Sequence, residues 1–490
     1  MSQWRPERSP VVRAAWRGRT ITALAALLLL PGCNLGPFYH RPSLELPAAF
    51  RATPATEAAA WPSPDWWRGF GSPELDGLIA AARVQNFDIA AAVARVRQAD
   101  AAVSVAGGPL LPLVTASASD TWQLESSQRS GGGFAGASSA HAQFRSYAAT
   151  VNASYEVDFW GKNRAALAAA RASALFSRFD QQTVALTVVT GVATTYFNAL
   201  AYQDRLAVAQ RNLADATDSL NVIRARLSVG TATALDLAQQ EALVDAVRAN
   251  IPALRSQLEQ EVIALAILVG RPPEAIEIRP GTLDTLPLPE VAPGLPSDLL
   301  ARRPDIASAE AQLIAQNANV RVARAAFFPS IQLTASGGWQ SLALTTLFGP
   351  GATAASFAGS VSQTLFDNGV LAGQLGEAKG RYDELLADYR KAVVQAFTDV
   401  ENALTALRYA TEQETLERAA VATAQRAADI ARAQLAAGTV DVTTVLTAEQ
   451  TLFSDQDTLA QVRLARFTAL VNLYKALGGG WQEPQETASE

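Results

Sequence analysis

The sequence repeats itself at the scale of a whole domain. Asn86-Phe87-Asp88-Ile89 lies 217 residues before Arg303-Pro304-Asp305-Ile306, and the same offset carries Pro112 onto Pro329 and Val114 onto Ile331. Phe159 falls 207 residues before Phe366, and Asn198-Ala199-Leu200 falls 204 before Asn402-Ala403-Leu404. Arg224, Leu227, Gly230, Thr231, Glu241 and Gly270 sit 208 before Arg432, Leu435, Gly438, Thr439, Glu449 and Gly478. A period of roughly two hundred residues is far longer than any solenoid repeat and marks a duplicated domain-sized unit. The chain therefore divides into repeat 1 (residues 74–270) and repeat 2 (297–478), with a connector between them (271–296). Seven prolines between positions 270 and 296 make the connector irregular.

Each repeat reads helix, strand, loop, strand, long helix, turn, helix. No proline occurs between Pro112 and Pro252 or between Pro350 and Pro484, which leaves room for long uninterrupted elements. Residues 160–227 and 369–436 are rich in Ala, Leu, Gln, Arg and Glu. As helices each would reach ~100 Å, more than a globular domain needs. Helices over 233–268 and 441–477 follow, and Pro252 predicts a kink in the first of them. Leu186, Val189, Ala193, Tyr196 and Leu200 step by three and four, as do Val393, Phe397, Val400, Leu404 and Leu407. That is the coiled-coil period. Alone, these helices fit a plain coiled-coil scaffold as well as a cylinder wall.

The strands decide between the two. They are expected over 112–122, 145–159, 329–340 and 355–367, with apolar and polar residues alternating, although Asp120 interrupts the apolar face of the first. Ten or more residues suits a tilted membrane crossing; a sheet packed on a soluble core is the other reading. Aromatic residues near strand ends, Trp122, Tyr147, Phe159, Trp339 and Phe357, favour a girdle at the membrane interfaces. Four strands cannot close a barrel, and open edges are not tolerated in hydrocarbon, so membrane strands would require oligomerisation.

Residues 1–32 read as a secretory signal: Arg5, Arg8, Arg13, Arg17 and Arg19, an apolar run from Ile21 to Leu30, then Pro31-Gly32. The apolar run is too short to span a bilayer as a helix, and no later segment reads as a transmembrane helix. Cys33 is the only cysteine, so no intramolecular disulfide can form, and its place after the signal makes it a candidate for acylation. An accidental cysteine behind an ordinary signal is the alternative. Removing the signal takes away five arginines and Glu7, moving the formal charge from −6 to −10. With no basic cluster interleaved with aromatics beyond the signal, nucleic acid is excluded as a partner. His40 and His141 are the only histidines, and no metal-ligand spacing or phosphate-cradling loop is present. Gly131-Gly132-Gly133 reads as a loop tip, so an enzyme has little chemical footing and no catalytic residue, metal or cofactor is expected.

Ordered segments along the mature chain resemble the outer-membrane factor family of TolC-like channels, in particular its lipoprotein branch of OprM-type efflux proteins. They are Cys33 through Pro42 (CNLGPFYHRP), Trp66-Trp67 with Phe70-Gly71 and Leu75, Gly294 through Ile306 (GLPSDLLARRPDI), Ala309-Glu310, Phe327-Phe328-Pro329 and the duplicated Gly-Thr turns. Leu30 through Cys33 resembles a lipobox, with Pro31 in place of the usual small residue. The resemblance implies an α+β membrane protein: a homotrimeric twelve-stranded transmembrane β-barrel, four strands per chain, continuous with a long periplasmic α-helical barrel. It implies a covalent lipid on Cys33 in an extended segment (33–73), outer-membrane lipid around the barrel, and docking to a periplasmic adaptor and an inner-membrane pump of the resistance-nodulation-division type. The function it implies is the exit duct of a tripartite efflux pump. A duct for an ABC-driven type I protein secretion system, or a periplasmic coiled coil without a barrel, are the alternatives. Residues 479–490 form a tail.

Two site expectations follow. Val229-Gly230-Thr231 and Ala437-Gly438-Thr439 read as turns, because each glycine interrupts a long helix and can adopt the left-handed conformation that ends one. By resemblance they are the periplasmic tips that meet the adaptor; otherwise they are helix-ending glycines without a partner role. The gate is expected just after these turns. The acidic residues that the family carries on the second hairpin match Thr444 and Thr447 here, so this chain departs from the pattern. Asp236, the counterpart of Thr444 in repeat 1, is the remaining acidic candidate, and Asp441 is either part of the constriction or a helix cap. Arg302-Arg303 reads as a solvated or ordinarily paired couple, and Pro304-Asp305 as a helix first turn.

Overall fold

In the computed structural model the chain is described over residues 36, 38–43, 47, 50–51, 61–125, 142–291 and 299–482. The expected signal, Cys33, the loop containing Gly131–Gly133 and His141, residues 292–298 and the end of the tail lie outside these described residues. The element order is α1 (Pro73–Gln85), α2 (Phe87–Gly107), β1 (Leu113–Glu125), β2 (Ala142–Glu156), α3 (Lys162–Ser228) and α4 (Ala234–Val269). The same order then recurs as α5 (Leu299–Arg302), α6 (Pro304–Ala325), β3 (Ser330–Ser341), β4 (Thr353–Ser362), α7 (Val370–Ala437) and α8 (Val442–Ala476). The chain groups into two compact units. One contains Ala101–Arg171 and Ile314–Asp383; the other contains Arg41–Asp100, Ala172–Leu313 and Glu384–Glu490.

The first unit is built on one antiparallel sheet in the order β1-β2-β3-β4. Its register sorts the side chains cleanly. Val114, Ala116, Ala118 and Trp122 share a face with Ala149, Val151, Ala153, Leu333, Ala335, Trp339, Phe357 and Val361. Thr115, Ser117, Ser119 and Thr121 share the other with Thr150, Asn152, Ser154, Gln332, Thr334, Ser336, Ser356 and Ser360. The second strand of each repeat ends earlier than expected, at Glu156 and Ser362, because an aspartate beyond it caps the next helix. Asp158 accepts from the backbone N–H of Asn163 and Arg164, both at 2.9 Å, and Asp367 accepts from that of Leu371 at 2.7 Å.

The helices α3 and α7, which begin in the first unit and continue into the second, run 67 and 68 residues, and α4 and α8 run 36 and 35. Pro252 lies inside α4, which continues through it. Contrary to the expectation from sequence, one helix among the described residues, α3, is long and apolar enough to cross a membrane by length and composition. Its apolar stretch is instead core, since Val188, Val189, Val192, Ala193, Tyr196 and Phe197 pack with Leu265, Phe467, Leu470 and Val471. Trp66, ahead of α1, stacks on Tyr474 at 4.6 Å, and Phe70 meets Phe197 at 4.8 Å.

The duplication persists at the level of single hydrogen bonds. The Asn86 amide, between α1 and α2, donates to the Leu268 carbonyl at 2.9 Å; Arg303, between α5 and α6, donates to the Ala476 carbonyl at 3.0 Å. Arg303 is not solvated as one sequence reading had it. It is buried and also donates to Asp305 (2.6 Å) and Asp399 (3.0 Å). Burial works against its charge, but the two carboxylates outweigh that and hold its pKa above the ordinary arginine value. Pro304 opens α6 with Asp305 in the first turn.

Candidate functional site

The ends of the two helical hairpins are built alike, for local reasons. At the end of α3, Gly230 (φ +78) donates to the Leu227 carbonyl at 3.0 Å and Thr231 to the Arg226 carbonyl at 2.9 Å. At the end of α7, Gly438 (φ +75) donates to Leu435 and Thr439 to Gln434, both at 3.0 Å. This is the Schellman pair of bonds, which satisfies carbonyls that a helix end leaves orphaned. Each threonine hydroxyl adds a bond to the same carbonyl as its own N–H, at 3.1 Å. Val229, Gly230, Thr231, Ala437, Gly438 and Thr439 are all exposed.

Beyond each turn the next helix is capped, and the candidate gate residues do the capping. The Asp236 carboxylate accepts from the backbone N–H (2.7 Å) and hydroxyl (2.8 Å) of Thr233, whose own hydroxyl accepts from the Asp236 N–H. This closes a capping box. Asp441 is the N-cap of α8 and accepts from the Thr444 N–H at 3.1 Å and from the hydroxyls of Thr443 and Thr444, each at 2.8 Å. These bonds, the hydroxyls first, hold its carboxyl below the usual carboxylate range. The Thr447 hydroxyl donates to the Thr443 carbonyl at 2.9 Å.

Sequence reasoning missed what joins the hairpins. Glu449 on α8 is fully buried and accepts from the Ser219 hydroxyl (2.6 Å), Arg432 (2.8 Å) and Gln240 (3.3 Å). Arg432 also reaches Asp215 at 3.1 Å, and Arg226 donates to the Leu435 carbonyl at 2.6 Å. Its counterpart pair in repeat 1, Arg224 and Glu241, bonds at 2.9 Å with side chains 53% and 43% exposed. The 208-residue offset matched Arg224 to Arg432 and Glu241 to Glu449 without pairing them, and nothing local distinguished the buried pair from the exposed one. Farther along, Glu414 accepts from Arg418 (2.7 Å), Arg466 (2.9 Å) and Arg463 (3.3 Å). Burial raises its pKa, but the three arginines outweigh this and hold the carboxyl below the ordinary range. Asp284 of the connector joins the cluster through Arg463 at 2.8 Å and Arg418 at 3.3 Å.

In the sheet, the polar face is laced by Ser117 with Thr150 (3.0 Å) and Ser336 with Ser356 (2.8 Å). The apolar face is open, with Trp122, Phe357 and Val361 each more than 60% exposed. Such a patch marks a surface meant for lipid or protein rather than water. The one anomaly that the sequence showed on it, Asp120, is neutralised by a bidentate pair with Arg145, whose guanidinium lies 5.1 Å from the Tyr147 ring. Among the described residues the outer edges of β1 and β4 have no strand beside them.

Comparison with known proteins converges on one group. The sequence profile of the outer membrane efflux protein family matches residues 78–271 and 295–479, one block in each repeat. The pyoverdine export outer membrane protein OpmQ of Pseudomonas aeruginosa is 39% identical over 471 residues, 96% of this chain and 98% of its own. The cation efflux system protein CusC of Escherichia coli is 30% identical over 462 residues, 93% of this chain and 97% of its own. Among solved structures, the outer-membrane channel OprN superposes with a TM-score of 0.85 at 28% identity, covering 92% of this chain and all of that one.

Proposed function

Since this chain belongs to the outer membrane efflux protein family and is an outer-membrane efflux channel, we propose that it exports small organic molecules delivered by a periplasmic adaptor and an inner-membrane pump of the resistance-nodulation-division type. The chains assemble as trimers, in which three four-stranded sheets close a twelve-stranded barrel and the helices form the periplasmic part. Transport is passive and needs no catalytic group.

The division of the sheet supports this reading most directly: hydroxyls and amides on one face suit a wet lumen, aliphatic and aromatic groups on the other suit lipid. A coiled-coil scaffold has no use for that face. The relative named for pyoverdine export supports a small-molecule cargo. The six exposed tip residues, Val229 to Thr231 and Ala437 to Thr439, are the adaptor-docking surface, and Asp236, Asp441, Thr444 and Thr447 form the constriction behind them. Cys33 carries the lipid anchor. Deleting the gene should raise intracellular accumulation of the pump's substrates, and purified protein should conduct in planar bilayers. A protein that stays monomeric without detergent and never conducts would end this reading. Mass spectrometry of the mature N-terminus should find an acylated Cys33, and an unmodified N-terminus cut elsewhere would remove the anchor from it.

A further inference from the structure

Among the described strand residues, charge occurs at one place only on the apolar face of the sheet: Asp120 opposite Tyr147, and Arg145 opposite Trp122. Each strand joins a helix at its Leu113, Glu156, Ser330 or Ser362 end, so the hairpin tips form the other end, the outer one. Arg145 lies three pairs from the tip of the β1–β2 hairpin. From Ala149 down to Tyr155 the register brings no charged side chain onto this face. Arg145 and Tyr155 are ten residues apart. Such a stretch covers ~34 Å of strand, or ~26 Å across a membrane at a tilt of about 40°, which is the height of the uncharged band of an outer-membrane barrel. Arg145 therefore stands where hydrocarbon ends and headgroups begin.

The arginine is aimed without being used up. Its Nε donates to Asp120 at 2.7 Å, an Nη donates to the other oxygen of the same carboxylate, and the guanidinium lies 5.1 Å from the Tyr147 ring. That engages two of the five N–H groups of a guanidinium and leaves the others available on a side chain 56% exposed. Apolar groups surround it. Trp122 is 62% exposed beside it, and on β3 Trp339 meets Phe348 edge-on at 5.4 Å. Phe348 belongs to the β3–β4 loop, which a 2.6 Å contact between the Ser341 and Thr346 hydroxyls braces, so the loop carries the apolar face past the strand ends. Repeat 2 has no such pair: Gly337, Thr353 and Ala355 hold the register positions of Asp120, Arg145 and Tyr147. The site occurs once per chain.

We infer that Arg145 binds the phosphate of an outer-leaflet lipid, that Asp120 and Tyr147 orient it, and that Trp122, Trp339 and Phe348 lie against the upper part of the acyl chains. A guanidinium matches phosphate geometry, and a charged hydrogen bond gains strength at an interface poor in water. Asp120 also keeps the arginine from being an unpaired charge beside hydrocarbon, which would be costly. The inference rests on the lipid-facing reading of this face and gives it one ligand chemistry.

Native mass spectrometry of the full-length trimer in detergent tests it, with an acylated glucosamine phosphate and the same lipid lacking its phosphate as probes. The wild type should retain the phosphorylated lipid and release the other. Asp120→Asn should retain it as the wild type does. Arg145→Gln, and Asp120→Asn combined with Arg145→Gln, should bind it about tenfold more weakly, the worth of one charged hydrogen bond. The double variant leaves no unpaired charge on the face, so it reports on binding where Arg145→Gln alone fails to insert. A pair that served only to hold β1 to β2 would make Asp120→Asn and Arg145→Gln behave alike, and that result would overturn the inference. Displacement of the lipid by an equal concentration of inorganic phosphate would overturn the assignment to lipid. A conducting trimer that treats both lipids alike would overturn the inference and leave the channel standing, whereas a chain that neither trimerises nor conducts would overturn both.

Discussion

Glu449 and Glu414 are carboxylates placed where water cannot reach them freely, and each is held by arginine side chains. Removing one member of a buried pair strands the other, at a cost typically of about 3–5 kcal/mol. Arg432 keeps Asp215, so Glu449→Ala should fall near the low end, about 3 kcal/mol, measured by denaturant unfolding followed by far-ultraviolet circular dichroism. Glu449→Gln, which keeps the shape and the Ser219 contact, should cost less than the alanine variant. Glu414 also makes stability depend on pH. Its folded pKa lies below the unfolded value, so its contribution is complete above the ordinary glutamate pKa of about 4.3 and is lost as pH falls through the depressed one. Unfolding midpoints should drop more steeply below that value in the wild type than in Glu414→Gln, and parallel curves would remove Glu414 from the account.

At the scale of elements, the helix ends rest on two glycines in left-handed backbone. A Cβ at Gly230 would meet nothing within 4 Å, so the penalty for Gly230→Ala is one of backbone strain, about 1–2 kcal/mol, and should be matched at Gly438. Bulky or charged residues at either place should abolish export while trimers persist; unchanged drug resistance would argue against docking there. These turns were legible because a glycine interrupting a proline-free run of helix formers has few other uses. The long helices were legible for the same reason, and the strands because alternation in Ser146–Phe159 or Ile331–Gln340 is hard to produce otherwise. What stayed hidden depends on partners distant in sequence. Asp120 looked like a flaw until the sheet register brought Arg145 to it across a hairpin. Whether Arg303 was solvated or ion-paired stayed open because Asp399 and the Ala476 carbonyl lie 96 and 173 residues away. Strand ends at Glu156 and Ser362 were set by capping aspartates, whose side-chain bonds override the alternating pattern that continues past them.

For the molecule as a whole, the threefold axis of a trimer would multiply each proposed constriction residue into a ring. Thr444 and Thr447 leave such rings uncharged, and the Asp236 carboxylate is already engaged by Thr233, so the ring offers three partly satisfied charges. Single-channel recordings should show modest cation preference and weak block by trivalent cations, both lost in Asp236→Asn. Strong block that survives the substitution would show that the ring lies elsewhere. The unpaired margins of β1 and β4 carry a further consequence, a genetic one. A chain that cannot finish its own sheet is never a functional unit by itself, so its alleles are read out together. In a cell making equal amounts of normal chain and of a variant that joins but does not open, only about one assembly in eight contains three normal chains. Such variants should be dominant, and variants that spoil either margin should be recessive, because they never enter the company of the others.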